Sequence, residues 1–405
     1  MGMKTTKMVF ALRRAAITGM VAWLGVSARA QYLAEPWLEV VTPTNTVPTG
    51  HLWRIAYGNG MWLILAPAVA NMVMDAQGMV VTSLDGLNWT RHQMATNSAL
   101  QGVFNGLTAG NGAFVAAGVL GTNGVVQVSR DGIAWGLPAM FPRVSLNGVS
   151  CGGGAYVAVG ERGGSSFIAA STNGVSWVSQ TWTNYGGLNA VTFGQGTFVA
   201  VGKGGAIFTS TNALDWATQS VAVNLDSVGY GDGMFLATAP ASYPYLLKSL
   251  DGRTWVIPPM TGFEPYFEAA PYGNGLFVVG GAGSTLLVSR NGVDWWVDLV
   301  LWHEDWVPLR DMAYGAGKFI MVGDRGILNL TPRYFLSGAR TPSGDMGLTV
   351  GGGDLERPFR LQAAPDLSTS SWVDLVTLTN TGSPTNWVDP EATNYPRRFY
   401  RVVAP

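Results

Sequence analysis

The sequence predicts an all-β protein: a seven-bladed β-propeller closed by an N-terminal strand and followed by a small C-terminal β-sandwich. A Gly-x-Gly unit recurs at intervals of 52, 42, 42, 37, 42 and 42 residues, and a Ser-x-[Asp/Asn]-x-x-x-Trp box follows most of these units. With 54 glycines and only 12% charged residues, the composition favours many tightly turned strands over disorder. The units begin at Gly58, Gly110, Gly152, Gly194, Gly231, Gly273 and Gly315.

Each repeat contains short strand-like runs in a constant order, which we call strands a to d from the inside of the propeller outwards. In the third repeat they are residues 146–150, 155–159, 167–171 and 177–180. Runs of β-branched and aromatic residues bounded by Gly, Asn and Asp are typical of hairpins, and the turn glycines are expected to have positive φ. Four strands in about 40–45 residues is the size of a propeller blade.

The number of boxes predicts how the ring closes. Six complete boxes accompany seven Gly-x-Gly units, and the last unit, within residues 314–331, has no tryptophan after it. Trp37 lies 21 residues before Gly58, just as Trp89 lies 21 residues before Gly110. Residues 35–41 are therefore expected to form the outer strand of the last blade, which hides a sheet edge that would otherwise pair with other chains. The boxes are residues 83–89, 129–135, 171–177, 210–216, 249–255 and 289–295.

These boxes resemble the Asp-box (BNR-like) repeats of the sialidase, sortilin and photosystem-assembly-factor propellers, across residues 35–331. Residues 83–89 and 249–255 match best, although they lack one residue between the Asp and the Gly of the family pattern. The resemblance implies structural boxes on the face opposite the ligand, whose Asp binds turn N–H groups and whose Trp packs between blades. The residues themselves favour the same interpretation over calcium or substrate binding, because an Asp or Asn that opens a tight turn satisfies local donors.

Residues 1–30 have the pattern of an export signal. Basic residues from Lys4 to Arg14 precede an apolar run at 15–26, and an Ala-x-Ala cleavage pattern ends at Ala30. This run is much shorter than the roughly 20 residues of a membrane span, so a retained anchor is the less favoured alternative. We expect a secreted protein or one of the bacterial periplasm or cell envelope, with no stable membrane span after cleavage.

Charge and cysteine content narrow the expected partners. Removal of the signal leaves 19 Lys and Arg against 25 Asp and Glu, a net charge of −6. No nucleic-acid partner is expected, because phosphate binding needs a concentrated positive surface. The single cysteine, Cys151, excludes an intrachain disulfide. It occupies a position that is aromatic or alanine in the other repeats, and we expect a small buried residue and not a nucleophile.

The repeat ends after Thr331, and residues 335–405 are expected to form a separate module. New strand-like runs at 359–363, 372–378, 387–389 and 398–403 are typical of a small β-sandwich. An Asp-Leu pair at 366–367, Trp372, Leu375 and the closing Arg-Phe-Tyr-Arg at 398–401 resemble the C-terminal modules of secreted bacterial proteins, which implies a localisation only. The predicted organisation is a signal peptide at 1–30, a propeller at 31–334 and this module at 335–405.

The candidate ligand face is the one that carries the d–a and b–c connections, because these loops converge on the central channel. Most of the variation between repeats falls there, and it places aromatic residues among acids and a few bases, as a sugar- or peptide-binding surface does. The alternative is a set of ordinary solvated loop residues. The candidate ligand-binding residues are Trp302, His303, Glu304, Asp305, Trp306, Tyr243, Tyr245, Tyr266, Glu161, Arg162, Lys203, Asp324 and Arg325.

No catalytic or metal-binding residue is assigned, and no cofactor is expected. The three histidines, His51, His92 and His303, lie in different repeats, and the sequence has neither His-Glu-x-x-His nor Cys-x-x-Cys.

The sequence therefore predicts a monomeric, non-catalytic binding or scaffold module whose partner is a glycan or a protein. The alternative is a sialidase-like glycoside hydrolase, which needs two carboxylates about 5–10 Å apart. The Arg-Ile-Pro motif of sialidases is missing, the nearest run being residues 54–56, and the short loops leave little material for a walled pocket. A purely structural envelope protein is the third possibility. The candidate acids for hydrolysis are Glu161, Glu264, Glu268, Glu304, Asp305 and Asp324.

Overall fold

In the residues that it describes, the computed structural model consists mainly of β-strands and their turns, with two short 3-10 helices at Lys203–Gly205 and Ala392–Asn394. No helix among the described residues is long and apolar enough to cross a membrane. The structure describes residues 20–22, 38–41, 52–70, 73–92, 102–239, 246–258, 270–273, 275–280, 285–300, 309–323, 326–331, 335–341, 345–351, 358–365, 372–379, 381, 385–395 and 398–403.

Within these residues, seven antiparallel sheets follow the sequence repeats, and each sheet pairs its strands in chain order. Two strands precede them, β1 (Met20–Ala22) and β2 (Leu38–Val41). Sheets 1 to 3 contain β3 (Arg54–Gly58), β4 (Met61–Ala70), β5 (Val73–Ser83) and β6 (Thr90–His92); β7 (Val103–Gly110), β8 (Ala113–Leu120), β9 (Asn123–Ser129) and β10 (Ala139–Phe141); β11 (Ser145–Gly152), β12 (Ala155–Arg162), β13 (Ser165–Ser171) and β14 (Val178–Gly186).

The remaining sheets have the same order. Sheets 4 to 7 contain β15 (Leu188–Gly194), β16 (Thr197–Gly202), β17 (Ala206–Ser210) and β18 (Ala217–Ser220); β19 (Ser227–Gly231), β20 (Met234–Thr238) and β21 (Leu246–Ser249); β22 (Tyr272–Gly273), β23 (Leu276–Gly280), β24 (Thr285–Ser289) and β25 (Trp296–Val300); β26 (Leu309–Gly315), β27 (Lys318–Gly323) and β28 (Gly326–Thr331).

Sheet 7 takes its fourth strand from the N-terminal part of the chain. Strand β2 pairs antiparallel with β28, with Leu38 opposite Thr331 and Val41 opposite Leu328. The described residues of this strand lie within the predicted 35–41, and residues 35–37 lie outside the described part of the chain. Its backbone groups occupy the outer edge of β28, an edge that would otherwise be open to other chains.

Neighbouring sheets meet at the first glycine of each Gly-x-Gly unit. A Cβ atom built on Gly194 would lie 2.1 Å from Cγ of Tyr230, and one built on Gly315 would lie 2.1 Å from Cγ of Tyr57. Atoms cannot approach so closely, so glycine is required there by the neighbouring sheet. The contacts pass from each sheet to the next and from sheet 7 back to sheet 1: Gly58–Ala109, Gly110–Cys151, Gly152–Phe193, Gly194–Tyr230, Gly231–Tyr272, Gly273–Tyr314 and Gly315–Tyr57.

The two glycines of one Gly-x-Gly unit are required for different reasons. This corrects the expectation that every turn glycine is required because its φ is positive. The second glycine, at the third position of the unit, has a positive φ, which is 73° at both Gly60 and Gly196. A side chain reaches that region only at a cost. The first glycine has no such φ and is needed for the close approach described above.

Cys151 fills the contact position in sheet 3. Its side chain is half-buried, and its Sγ donates to the carbonyl oxygen of Ala109 across 3.3 Å. Burial raises the pKa of the thiol, which disfavours the thiolate that a nucleophile would need. This agrees with the structural role expected from the repeat pattern.

The box turns are held by their own polar side chains. Oδ1 of Asp85 accepts from the backbone N–H groups of Leu87 and Asn88 at 2.8 and 2.7 Å. Oδ1 of Asn173 accepts from the N–H groups of residues 175 and 176 at 2.9 Å each. The box tryptophan Trp89 is buried in the core between sheets 7 and 1, where it packs near Ile320. The boxes thus stabilise turns and sheet contacts.

The C-terminal residues form two sheets around one core. The first contains β29 (Phe335–Arg340), β30 (Met346–Gly351) and β33 (Thr385–Asp389), and the second contains β31 (Pro358–Ala364), β32 (Val373–Thr379) and β34 (Phe399–Val403). Leu348, Phe359 and Tyr400 from the two sheets share the core. Strand β1, which falls in the predicted export signal, pairs with the edge of β34. The signal and the domain boundaries stay predictions.

Candidate functional site

Three of the thirteen predicted site residues, Glu161, Arg162 and Lys203, lie in the described part of the chain. Glu161 and Arg162 end β12, and Lys203 follows β16, so all three belong to b–c connections. The other ten lie outside the described residues and stay predictions: Trp302, His303, Glu304, Asp305, Trp306, Tyr243, Tyr245, Tyr266, Asp324 and Arg325.

The same face contains a feature that the sequence analysis missed, a β-bulge near the start of several innermost strands. The strand register shifts on either side of Asn105 in sheet 2, Asn147 in sheet 3 and Asn189 in sheet 4. In sheet 5, two successive residues oppose Thr238: the N–H of Asp226 donates to its carbonyl oxygen, and Ser227 is its partner in the strand pairing. A bulge leaves one residue without a cross-strand partner and re-aims its side chain, here towards the channel.

The three bulged asparagines, which we call the asparagine belt, tie each sheet to the next. The Nδ2 group of Asn105 donates to the carbonyl oxygen of Leu146 at 2.9 Å, that of Asn147 to Leu188 at 2.8 Å, and that of Asn189 to Leu225 at 2.9 Å. Each acceptor lies one residue before the bulge of the next sheet. Backbone carbonyls that β-bulges leave without ladder partners are satisfied in this way.

Arg54 continues the belt across sheets 7, 1 and 2. Its Nε donates to the carbonyl oxygen of Asn105, and its NH1 donates to the carbonyls of Trp53 at 2.8 Å and Arg310 at 3.1 Å. The nearby Asp311 is half-buried, and desolvation raises the pKa of its carboxyl group while the charge of Arg54 opposes that rise. Oδ2 of Asp311 also accepts from the N–H of Ile55 at 3.0 Å, which joins sheet 7 to sheet 1.

The belt lines a cavity of about 550 Å³. Cavities of about 300–1,000 Å³ suit small ligands or the end of a larger one. The described residues that line it are all polar or charged: Arg54, Asn105, Asn147, Asn189, Lys203, Asn224 and Asp226.

Lys203 and Glu161 meet at the rim of this cavity. Lys203 Nζ lies 2.6 Å from Glu161 Oε2, and the two side chains are 55% and 28% exposed. Ion pairs with this exposure contribute at most about 1 kcal/mol, so a ligand can separate them at low cost. The third predicted residue, Arg162, places its guanidinium 4.7 Å from the ring centre of Phe167 and is not among the cavity-lining residues.

Asp226 is the single carboxylate among the described lining residues. Burial raises the pKa of its carboxyl group, and its Oδ1 accepts from Nδ2 of Asn189 at 3.3 Å. A glycosidase pair needs a second carboxylate about 5–10 Å away. Glu161, the one candidate acid from the sequence that lies in the described part of the chain, is engaged with Lys203.

A repeat signal could have revealed the belt. Asn105, Asn147 and Asn189 each lie five residues before a Gly-x-Gly unit, at the same 42-residue spacing as the units themselves. The predicted site residues are those that differ between repeats, and these asparagines are not among them because they recur at one repeat position.

Comparison with known proteins bears on the fold. No protein-family model and no curated protein matches the sequence. The WD40 β-propeller domain of Doa1 is 12% identical with a TM-score of 0.52, over 69% of this chain and 92% of that one. The chain is a β-propeller protein. PorZ of Porphyromonas gingivalis is 11% identical to this propeller protein with a TM-score of 0.52. The match covers 84% of this chain and 55% of PorZ.

A further structure, YCF48 from Cyanidioschyzon merolae, is 14% identical with a TM-score of 0.49, over 73% of this chain and 98% of that one. At such low identity the likenesses to Doa1 and PorZ bear on the fold alone, and function has to be argued from the site.

Proposed function

We propose that this β-propeller protein is an exported, non-catalytic binding or scaffold module that recognises a glycan or a protein at its channel mouth. In this proposal the Asp-box repeats build a seven-bladed ring closed by β2, and the protein works as a monomer. The d–a and b–c loops carry the ligand, as the sequence predicts. The observation that carries the proposal is the cavity whose described lining residues are all polar or charged.

The proposed ring is supported by the contacts between sheets. The glycine contacts return from Gly315 in sheet 7 to Tyr57 in sheet 1, and Arg54 in sheet 1 donates to Arg310 in sheet 7. The N–H of Leu52 also donates to the carbonyl oxygen of Gly323 at 3.2 Å. An open arc of sheets would leave these groups unpaired.

Binding without catalysis is supported by the state of the polar groups. The belt amides are held by backbone carbonyls, and Lys203 is paired with Glu161. Polar groups oriented in advance lower the entropy that ligand binding costs. Hydrolysis would require a carboxylate pair that the described lining residues do not contain.

Export to the cell envelope is proposed from the signal-like residues 1–30. PorZ is named as an essential bacterial surface component of a type-IX secretion system. A surface role for the present protein fits the same setting, and a protein partner in the envelope is one of the two ligand classes proposed.

The proposal is tested by screening the purified protein on a glycan array and by pull-down from bacterial envelope extracts. A variant with Trp302, Trp306, Tyr243 and Tyr266 replaced by alanine serves as the comparison. We expect a ligand that binds the wild type and is lost in the variant, because these aromatic residues are predicted on the ligand face. Equal binding by both proteins, no ligand in either screen, or release of sugar from an array glycan would contradict the proposal.

A further inference from the structure

We propose that the channel mouth binds the end of a neutral, hydroxyl-rich saccharide, whose hydroxyl groups donate to Asn105, Asn189 and Asp226. This inference rests on the proposed function, since it assumes that this face binds a ligand, and it chooses between the two ligand classes. Four observations support it: the orientation of the belt amides, the charge of the lining, the lack of apolar lining residues and the volume of the cavity.

The orientation of the belt amides follows from their partners. A backbone carbonyl oxygen only accepts hydrogen bonds, so the amide group that faces it must be the NH₂ and not the oxygen. The Nδ2 atoms of Asn105 and Asn189 lie 2.9 Å from the carbonyl oxygens of Leu146 and Leu225. One N–H of the Asn105 amide is therefore engaged, as are both of the Asn189 amide, whose second acceptor is Oδ1 of Asp226 at 3.3 Å. A ligand can reach the amide oxygens.

Those amide oxygens are available to a ligand. Among the described residues, the Oδ1 atoms of Asn105 and Asn189 accept no hydrogen bond, whereas Oδ1 of Asn147 accepts from Ser145 Oγ at 3.5 Å. Together with the carboxylate of Asp226, they present acceptors from sheets 2, 4 and 5 at the cavity. A ligand that fits must carry several donors.

The charge of the lining disfavours an anionic ligand. Arg54 spends its Nε and NH1 groups on backbone carbonyls and lies near Asp311, which offsets its charge. Lys203 is offset by Glu161, whose Oε2 lies 2.6 Å from Nζ. Among the described lining residues, this leaves the carboxylate of Asp226 as the charge without an ion-pair partner, and that carboxylate would repel an anionic sugar. A neutral hydroxyl group can donate to it without such repulsion.

The lining also disfavours a protein side chain as the occupant. Binding energy at protein interfaces is concentrated in aromatic and aliphatic anchors that fill apolar pockets. The described residues that line this cavity include no apolar side chain. Sugar hydroxyls both donate and accept hydrogen bonds. One sugar ring can therefore donate to the belt oxygens and also accept from the amide NH₂ of Asn224 or from Lys203.

The test is calorimetric titration of the full protein with neutral trisaccharides, namely galactotriose, mannotriose and cellotriose. Trigalacturonate, the charged counterpart of galactotriose, is titrated in parallel. We expect at least one neutral trisaccharide to bind and trigalacturonate to bind at least about 10-fold more weakly than galactotriose. The N105A/N189A variant should bind the neutral ligand about 100-fold more weakly, because each lost acceptor is worth about a factor of ten.

The matched control is Q180A. Gln180 Nε2 donates to the carbonyl oxygen of Leu214 at 2.9 Å, so it makes the same kind of bond between sheets 3 and 4 but does not line the cavity. Its variant should bind like the wild type. If N105A/N189A does not fold, the comparison of neutral with charged trisaccharides on the wild type still decides.

Three results would overturn the inference: preference for trigalacturonate, no binding of any neutral trisaccharide, or neutral binding that survives in N105A/N189A. If a protein is captured from envelope extracts at this face while no sugar binds, the proposed function stands and the saccharide inference fails. If neither sugar nor protein binds, both fail.

Discussion

At the scale of the residue, the boxes show that Asp and Asn hold the same turn but respond differently to pH. Oδ1 of Asp251 accepts from the N–H groups of Thr254 and Arg253 at 2.7 and 2.8 Å. These bonds, the one from Thr254 foremost, lower the pKa of Asp251 from 3.8 to about 2. Oδ1 of Asn291 accepts from the equivalent N–H groups at 2.9 Å each without a titrating charge.

We expect D251N to change how stability depends on pH. Because the folded-state pKa of Asp251 is below its ordinary value, its carboxylate stabilises the fold above about pH 4, and this contribution is lost as the pH falls towards 2. The variant should be less stable than the wild type at pH 7, by under about 1 kcal/mol because the turn is exposed. The difference should vanish near pH 2.

Urea unfolding at a series of pH values from 2 to 7 measures this difference, and N291D is the reciprocal control. That variant should acquire the acid-labile contribution that D251N loses. A difference between D251N and the wild type that stayed constant over the whole pH range would contradict the assignment of the turn bonds to the charged carboxylate.

At the scale of the element, each contact between sheets depends on the absence of a single side chain. We expect G194A to destabilise the protein by about 1–3 kcal/mol, since its methyl group must displace the Tyr230 ring, which lies 2.1 Å from the position of that carbon. The control is G136A, whose methyl carbon would lie 3.4 Å from the nearest atom, the carbonyl oxygen of Val128. That change should cost less than about 0.5 kcal/mol.

Thermal and urea unfolding of the two variants give the comparison. Equal stabilities of G194A and G136A would mean that the sheets can separate at this point without cost, and would contradict close packing between sheets 4 and 5.

At the scale of the whole molecule, the proposed ring depends on the pairing of β2 with β28. Val40 is the partner of Asn329 in this pairing. In a C151A background, which leaves no other thiol, V40C/N329C should form a disulfide in air and stabilise the protein by about 2–4 kcal/mol. The mispaired control L38C/L328C is three residues out of register and should remain reduced.

Mass spectrometry and non-reducing electrophoresis detect the cross-link. Cross-linking of both pairs to the same extent, or of neither, would count against closure by the N-terminal strand and would favour an open arrangement of sheets.

The sequence by itself determined the all-β propeller class, the repeat and the box turns, because these features arise from chemistry that is local in the chain. Asp85 bonds the N–H groups two and three residues ahead, and Gly196 supplies the positive φ that a side chain resists. Even the partner of β2 was predicted, because an absent box tryptophan at one end of the repeats matched Trp37 at the other.

Only the tertiary structure decided where the polar groups converge. Asn105 and Leu146 are 41 residues apart, and their bond exists because a bulge in one sheet faces the next. The same reason applies to the first glycine of each unit, whose neighbour belongs to another sheet. Pattern analysis detects periodic residues but not the direction in which a bulge aims them, since that direction is set by packing between sheets.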